Sequence, residues 1–196
     1  MAALDVNTTS NEVGEEESEL LGTKLAPFNP SMPYVVEAAL AMLQLSNEDV
    51  LYDLGCGDGR VMIAAALATP GLRCVGIEYD SKYAARAQEA VAAAGLTERV
   101  TVHHANVLDV SIADATAAFV YLVPKGMVLV APALQKLIAR GGRVVTYVFS
   151  MPGATPTQVE IAKGTKIYRY GEQRKQQLRD GKVAENTGAT EVHTNQ

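Results

Sequence analysis

VLYDLGCGDGR, spanning Val50–Arg60, carries an apolar run into an acid, Asp53, and then sets glycine at every second position, Gly55, Gly57 and Gly59. Alternating glycines neither extend a strand nor sit inside a helix without cost, so the spacing predicts a tight turn closing a short strand. Without Cβ atoms the main chain there can approach a ligand closely. The apolar stretch Val61–Leu67 that follows predicts a helix. Strand, glycine turn and helix in that order form the opening of a nucleotide-binding α/β unit.

The glycine spacing discriminates among nucleotides. A dinucleotide fingerprint needs G-x-G-x-x-G, and its third glycine would fall on Arg60. The chain instead reads D-x-G-x-G-x-G, with a carboxylate ahead of the first glycine. That charge repels a pyrophosphate and suits an ammonium. S-adenosylmethionine carries an ammonium and a sulfonium and no phosphate. A second acid, Glu78, closes the strand-like run Arg73–Ile77, where a carboxylate can take both hydroxyls of a ribose. Asp53 and Glu78 together read as a pair for S-adenosylmethionine and poorly as a pair for NAD.

Through Asp53-Leu54-Gly55-Cys56-Gly57-Asp58-Gly59 and Glu78, the chain resembles the class I, seven-stranded S-adenosylmethionine-dependent methyltransferases. The resemblance implies an α/β fold, Rossmann-like and doubly wound, whose mostly parallel seven-stranded sheet ends in a C-terminal antiparallel hairpin. It implies cofactor contacts from Asp53, Gly55, Cys56, Gly57, Glu78 and Tyr79, and from Phe28 and Ser31 over the methionine end. In that fold the loop after the third strand faces the adenine. Asn106 would accept from N6 and the Val107 N–H would bind N1; many relatives carry Asp where Asn106 stands, and Asn still offers an acceptor oxygen. The carboxyl end of the fourth strand, Tyr121-Leu122-Val123-Pro124, would lie beside the transferable methyl group. The N/D-P-P-Y type motif of amino-methylating DNA enzymes is not there.

A closer resemblance covers most of Ala26–Tyr170. It rests on the P-F-x-P segment Pro27–Pro30, on LYDLGCGDGRVMIAAA, on YLVP at Tyr121–Pro124 and on GGRVVTYVF at Gly141–Phe149. These are similar to a small single-domain family that includes prokaryotic methyltransferases and eukaryotic protein-lysine methyltransferases acting on mitochondrial membrane proteins. The chain departs from that pattern in lacking an N-terminal membrane segment and in having no Trp near Pro152–Pro156.

Charge is unevenly distributed. Residues 1–22 hold six acids and no Lys or Arg, and the rest of the chain carries 17 basic residues against 16 acids, a net of +1. The near-neutral remainder gives no electrostatic footprint for a nucleic acid. We expect a disordered acidic tail over 1–22, one methyltransferase domain over 23–171 and a polar tail over 172–196, with a short helix at 172–180. Two cysteines, Cys56 and Cys74, make no disulfide framework and no metal-ligand spacing. No signal or transit peptide is evident and no apolar run reaches the ~18–20 residues that span a bilayer. The expectation is a reduced, cytoplasmic compartment.

Further elements follow from periodicity. Ser31 and Pro33 signal the start of a helix over Tyr34–Leu45. Asp80 caps an alanine-rich helix, Ser81–Ala94, that Gly95 ends. Strands are expected over Val100–His104, Ala117–Val123 and Arg143–Phe149, with a hairpin over Val159–Ala162 and Lys166–Tyr170. Pro132 should break the helical stretch Lys125–Ala139 into two. His103 and His104 alternate across a strand and read as ordinary strand residues. The segment Pro27–Ser31 either closes over the cofactor or packs Phe28 into the core.

The function these features support is methyl transfer to a protein lysine. Tyr121 and the Pro124 turn, with Phe28 and Ser31, would frame the acceptor channel, and no residue stands out as a general base. The competing readings are a small-molecule methyltransferase and a non-catalytic S-adenosylmethionine-binding module. An NAD-dependent oxidoreductase is disfavoured by Arg60 and the terminal hairpin.

Overall fold

The computed structural model describes residues 24–172. The acidic tail expected over 1–22, and all of the expected tail and short helix beyond Glu172, lie outside the described residues. The elements run α1 (Pro33–Leu43), β1 (Val50–Leu54), α2 (Arg60–Ala68), β2 (Arg73–Glu78), α3 (Ser81–Ala93), β3 (Val100–His104), β4 (Ala117–Val120), α4 (Pro124–Ala139), β5 (Arg143–Tyr147), β6 (Gln158–Ala162) and β7 (Thr165–Tyr170). They build a seven-stranded sheet of order β3-β2-β1-β4-β5-β7-β6. β1 through β5 pair in parallel, and β7 joins β5 and β6 in antiparallel sense. The expected α/β architecture and terminal hairpin are both present.

Residues of β1, β4 and β5 are buried throughout, because helices cover both faces. Val35, Met42, Met62, Ala65, Ala87 and their neighbours from α1, α2 and α3 form one core. Met127, Val130, Leu134 and Leu137 of α4 form the other. The strand order reverses between β1 and β4, so a crevice opens at the carboxyl ends of those strands. Among the described residues, no helix is long and apolar enough to cross a membrane.

Several boundaries differ from the sequence expectation for local reasons. α1 begins at Pro33 with Met32, not Ser31, at its N-cap, and ends when Gln44 turns left-handed at φ 50°. α4 is one helix of 16 residues, not two. Pro132 and Val128, the partner it leaves without an N–H, both lie on the solvent face, where water can satisfy the lost bond. β4 stops at Val120 because Tyr121–Val123 peel away to lead into Pro124, the first residue of α4. β5 stops at Tyr147 because Val148 takes φ 68°. The hairpin turn is Lys163-Gly164, with φ 46° and 83°, the both-left-handed pair that matches strand twist in a two-residue loop.

At the amino edge of the sheet a buried charge pair ties α1 to three strands. Asp49 Oδ1 lies 2.8 Å from Arg143 Nη2, with side chains 1% and 5% exposed. It also accepts from Thr116 Oγ1 at 2.7 Å, while Asp49 Oδ2 accepts from Ser46 N at 2.7 Å. Arg143 Nε donates to the Leu43 carbonyl at 2.8 Å. The contact of Arg143 Nη2 with Asp49 is an ion pair rather than an aimed hydrogen bond. Burial raises the Asp49 pKa, but the hydrogen bonds from Thr116 and Ser46 and the adjacent Arg143 guanidinium overcome this and hold it below the ordinary value. Such a carboxylate stabilises the fold above the unfolded pKa of 3.8, and that stabilisation disappears as pH falls through the lower folded value. Asp49→Ala, which leaves Arg143 buried without its partner, should cost about 3 kcal/mol. Urea midpoints at pH 7 and pH 3 test this: the gap between wild type and variant should narrow at the lower pH, and equal midpoints at pH 7 would refute it.

Candidate functional site

The crevice between β1 and β4 is lined from four directions: the segment before α1, the glycine turn after β1, the end of β2, and the loops after β3 and β4. Asp53, next to last in β1, lies on its floor at 2% exposure. Its Oδ2 is buried without a hydrogen-bond partner. Burial, with added repulsion from Glu78 and Asp58, pushes its pKa up to about 8. The turn above it is stitched to β2, since the N–H groups of Gly55 and Cys56 both donate to the Ile77 carbonyl at 2.8 and 3.1 Å. Gly57 takes φ +55°, and a Cβ there would come within 2.8 Å of the Phe28 ring. Glycine is needed at that position for both reasons.

Glu78 braces the same turn. Its Oε2 accepts from Gly57 N at 2.7 Å and its Oε1 from Asp80 N at 3.0 Å. The Cys56 thiol packs beneath, in the room that Gly76 leaves beside Met62. Burial, and then the charges of Asp53 and Glu78, push the Cys56 pKa far up. It is a neutral packing group and no nucleophile.

The segment before α1 crosses the mouth of the crevice. Phe28 stacks on Tyr83 with centroids 3.8 Å apart and an interplanar angle of 14°, and it covers Gly57 without entering either core. Lys24 pairs with Asp80 at 2.8 Å. Arg60 forks onto Asp58 at 2.6 and 2.9 Å and reaches the carbonyl of the buried Ser31 at 3.1 Å. Asn29 Nδ2 donates to the Tyr121 hydroxyl at 2.7 Å. Phe28 thus covers the glycine turn at the mouth of the crevice and is not packed into the core.

Of the residues expected from sequence, Phe28, Ser31, Asp53, Gly55, Cys56, Gly57, Glu78, Tyr79, Asn106, Val107 and Tyr121 all line the crevice. Asn106 is 5% exposed, and its Oδ1 accepts from Leu108 N at 3.0 Å, which fixes the loop. Pro124 does not line the crevice; it is the first residue of α4, one turn removed. His103 and His104 are exposed on β3 and do not line the crevice. Sequence reasoning missed Asn29, Tyr83 and the structural use of Arg60. Asn29 carries a signal of position only, lying inside the Pro27–Pro30 segment. Tyr83 carries none, because its pairing with Phe28 spans unrelated segments.

An unmatched buried carboxylate oxygen, a turn with no Cβ to intrude, and a second carboxylate near its end suit a ligand with a cationic head and a hydroxylated middle. The residues fit S-adenosylmethionine, which Asp53, Glu78 and the Asn106–Val107 loop would hold. Among the described residues no group of His, Cys, Asp and Glu is arranged to hold a metal ion.

Comparison with known proteins agrees with this geometry. The family model for the ANTKMT methyltransferase domain matches residues 53–158. A protein-lysine N-methyltransferase of Saccharolobus islandicus (strain REY15A) is 32% identical over 133 residues, which is 68% of this chain and 83% of the relative. The adenine nucleotide translocase lysine N-methyltransferase of Mus musculus is 31% identical over 157 residues, 76% of this chain and 67% of the relative. Among solved structures, an RNA methyltransferase from Salinibacter ruber in complex with S-adenosyl-L-homocysteine superposes with a TM-score of 0.69 at 32% identity, covering 76% of this chain and 99% of that one.

The Asp53 environment gives a direct test. With its pKa near 8, the free protein at pH 6.5 holds Asp53 mostly protonated, and a ligand ammonium binds the carboxylate form. Binding should therefore release close to one proton at pH 6.5, and affinity should rise as pH increases towards 8. Calorimetry with S-adenosylmethionine in buffers of different ionisation enthalpy measures the release. Asp53→Asn should abolish it and weaken binding at least tenfold; an unchanged proton count in the variant would contradict the assignment.

Proposed function

The chain belongs to the ANTKMT methyltransferase family, and from that premise we propose that this S-adenosylmethionine-dependent methyltransferase methylates the side-chain nitrogen of a protein lysine. The observation that carries the proposal is the pair of relatives at 32% and 31% identity, both of them lysine N-methyltransferases by name. The site is compatible with that acceptor. S-adenosylmethionine, when bound, supplies a methyl group on a sulfonium, open to in-line displacement by a lone pair.

The chain's own residues then have two tasks, positioning and exclusion of water. Asp53 holds the cationic end on the floor of the crevice. Phe28 closes the turn side, and Tyr121, fixed by Asn29, stands at the carboxyl end of β4. An acceptor lysine must also arrive neutral, and in water its pKa of ~10.4 leaves it charged. Burial against the Phe119, Tyr121 and Leu122 side chains, near a cationic neighbour, lowers that value. Asp58 is committed to Arg60 and Glu78 to two backbone N–H groups, so neither is offered as a base. The amine is neutralised by its surroundings.

Two measurements test the reading. Methyl-tritiated S-adenosylmethionine, incubated with the protein and a cell lysate, should label protein, and acid hydrolysis should yield methyl-lysine. Label confined to RNA or to small molecules would overturn the lysine assignment. Tyr121→Ala should lower turnover about tenfold with unchanged S-adenosylmethionine affinity, whereas Phe28→Ala should weaken both. Wild-type turnover in both variants would remove these two residues from the acceptor channel.

A further inference from the structure

The methyl-transfer reading uses one tyrosine, Tyr121, yet two more continue from it across the α1-covered face of the sheet. The Tyr121 and Tyr147 rings meet edge to face, centroids 4.7 Å apart at 64°. The Tyr147 side chain is 8% exposed, and Thr165 and Tyr34 are the polar side chains beside its hydroxyl. Tyr34, in the first turn of α1, carries the Lys163 ammonium over its ring, 4.7 Å from the centroid. Tyr34 and Tyr121 both pack on the core cluster that contains Tyr147.

Strand register explains why these rings converge. Asp53 pairs with Phe119 and Phe119 with Val145. Side chains two residues further on share that face, which brings Tyr121 alongside Tyr147, itself opposite Ile167. Because β6 and β7 run antiparallel and close at Ala162 and Thr165, the turn bearing Lys163 lies at the same end of the sheet as the crevice. The rings thus lead from the crevice to the hairpin tip, and the outermost already holds an alkylammonium. Aromatic faces attract ammonium groups, while methylene stems pack along them.

We propose that Tyr34 and Tyr121, both set on the buried Tyr147 ring, form the track along which the acceptor lysine reaches the crevice, with Lys163 holding the outer cation site until the acceptor displaces it. The proposal rests on the lysine reading above. Tyr34 and Tyr147 are positioning residues that act on the acceptor and not on the cofactor. Lys163 is a competitor for the same ring, so removing it should help where removing Tyr34 harms. A purely structural role gives no such opposition of sign.

The experiment uses the full chain in two arms. In the first, butylammonium chloride is titrated into protein without cofactor and followed by tyrosine difference absorbance; the chain has 8 Tyr and no Trp. Sodium chloride at equal ionic strength is the control. Tyr34→Leu should weaken butylammonium binding about fivefold, the scale of one cation–π contact. Lys163→Asn, which tolerates the left-handed turn, should strengthen it by a few-fold. In the second arm, tritium transfer to lysine in denatured lysate protein should show KM raised about fivefold in Tyr34→Leu and lowered in Lys163→Asn, at wild-type kcat. Tyr147→Phe, which keeps the ring, should retain more of the wild-type KM than Tyr147→Leu. Unchanged S-adenosylmethionine affinity certifies that each variant is folded.

If wild type labels lysine while Tyr34→Leu and Lys163→Asn leave KM and butylammonium binding unmoved, the track is wrong and the lysine reading stands. If wild type yields no methyl-lysine, the lysine reading fails and the acceptor role of the track fails with it, whatever butylammonium does.

Discussion

A carboxylate that cannot be satisfied by its own protein sits under a turn that side chains cannot enter, and the remaining architecture holds that arrangement in place. Asp53 lies 2% exposed with Oδ2 unpartnered. The interval between 3.8 and about 8 corresponds to roughly 6 kcal/mol against its ionised form. Near neutral pH the unliganded fold meets this by holding Asp53 protonated, and a cationic ligand can offset the cost of ionising it on binding. A structural carboxylate is treated differently in the same chain. Asp49, equally buried, is surrounded by Thr116, Ser46 and Arg143, and its pKa falls. The two acids lie at opposite ends of β1, one satisfied by the protein and the other left for a ligand.

Packing around the turn follows from that need. Gly55 and Cys56 hang from the Ile77 carbonyl, so the position of the turn is set by β2. Gly76 leaves the room this needs, since a Cβ there would overlap the end of the Met62 side chain and lie 2.7 Å from the Cys56 sulfur. Cys56 therefore contributes volume and main-chain atoms, not chemistry. Reversal of strand order between β1 and β4 then leaves the carboxyl ends of those strands free of a crossing connection, and the crevice forms there.

Features encoded by local chemistry were legible in the sequence. The glycine turn, both acids, the Asp80 cap and all five residues of β3 follow from spacing and turn propensities. Features decided by distant packing were not. Pro132 carries the residue-level signature of a break, but its solvent-facing position in α4 makes the missing hydrogen bond cheap. Gln44 and Val148 adopt positive φ, which no sequence rule assigns to Gln or Val, because α1 and β5 must stop where the neighbouring layers stop. Ala117–Val123 is apolar throughout, so hydrophobicity alone could not show that Tyr121–Val123 leave the sheet. In the site, residues that the recognised motifs carry were found, from Phe28 to Tyr121, whereas Tyr83 was not, because its stacking on Phe28 joins two unrelated segments.

Glu78 connects the parts of the site that sequence treats separately. Its oxygens accept from Gly57 and Asp80 N–H groups, yet a carboxylate has about four lone-pair sites, so bracing the turn leaves acceptor capacity for ligand hydroxyls. A contact chain runs outward from it. Gly57 abuts Phe28, Phe28 stacks on Tyr83, and Asn29, the next residue, holds the Tyr121 hydroxyl. The segment that covers the glycine turn is thus also the segment that holds the Tyr121 hydroxyl. Arg60 fixes its far end through Ser31, and Lys24 fixes its near end through Asp80.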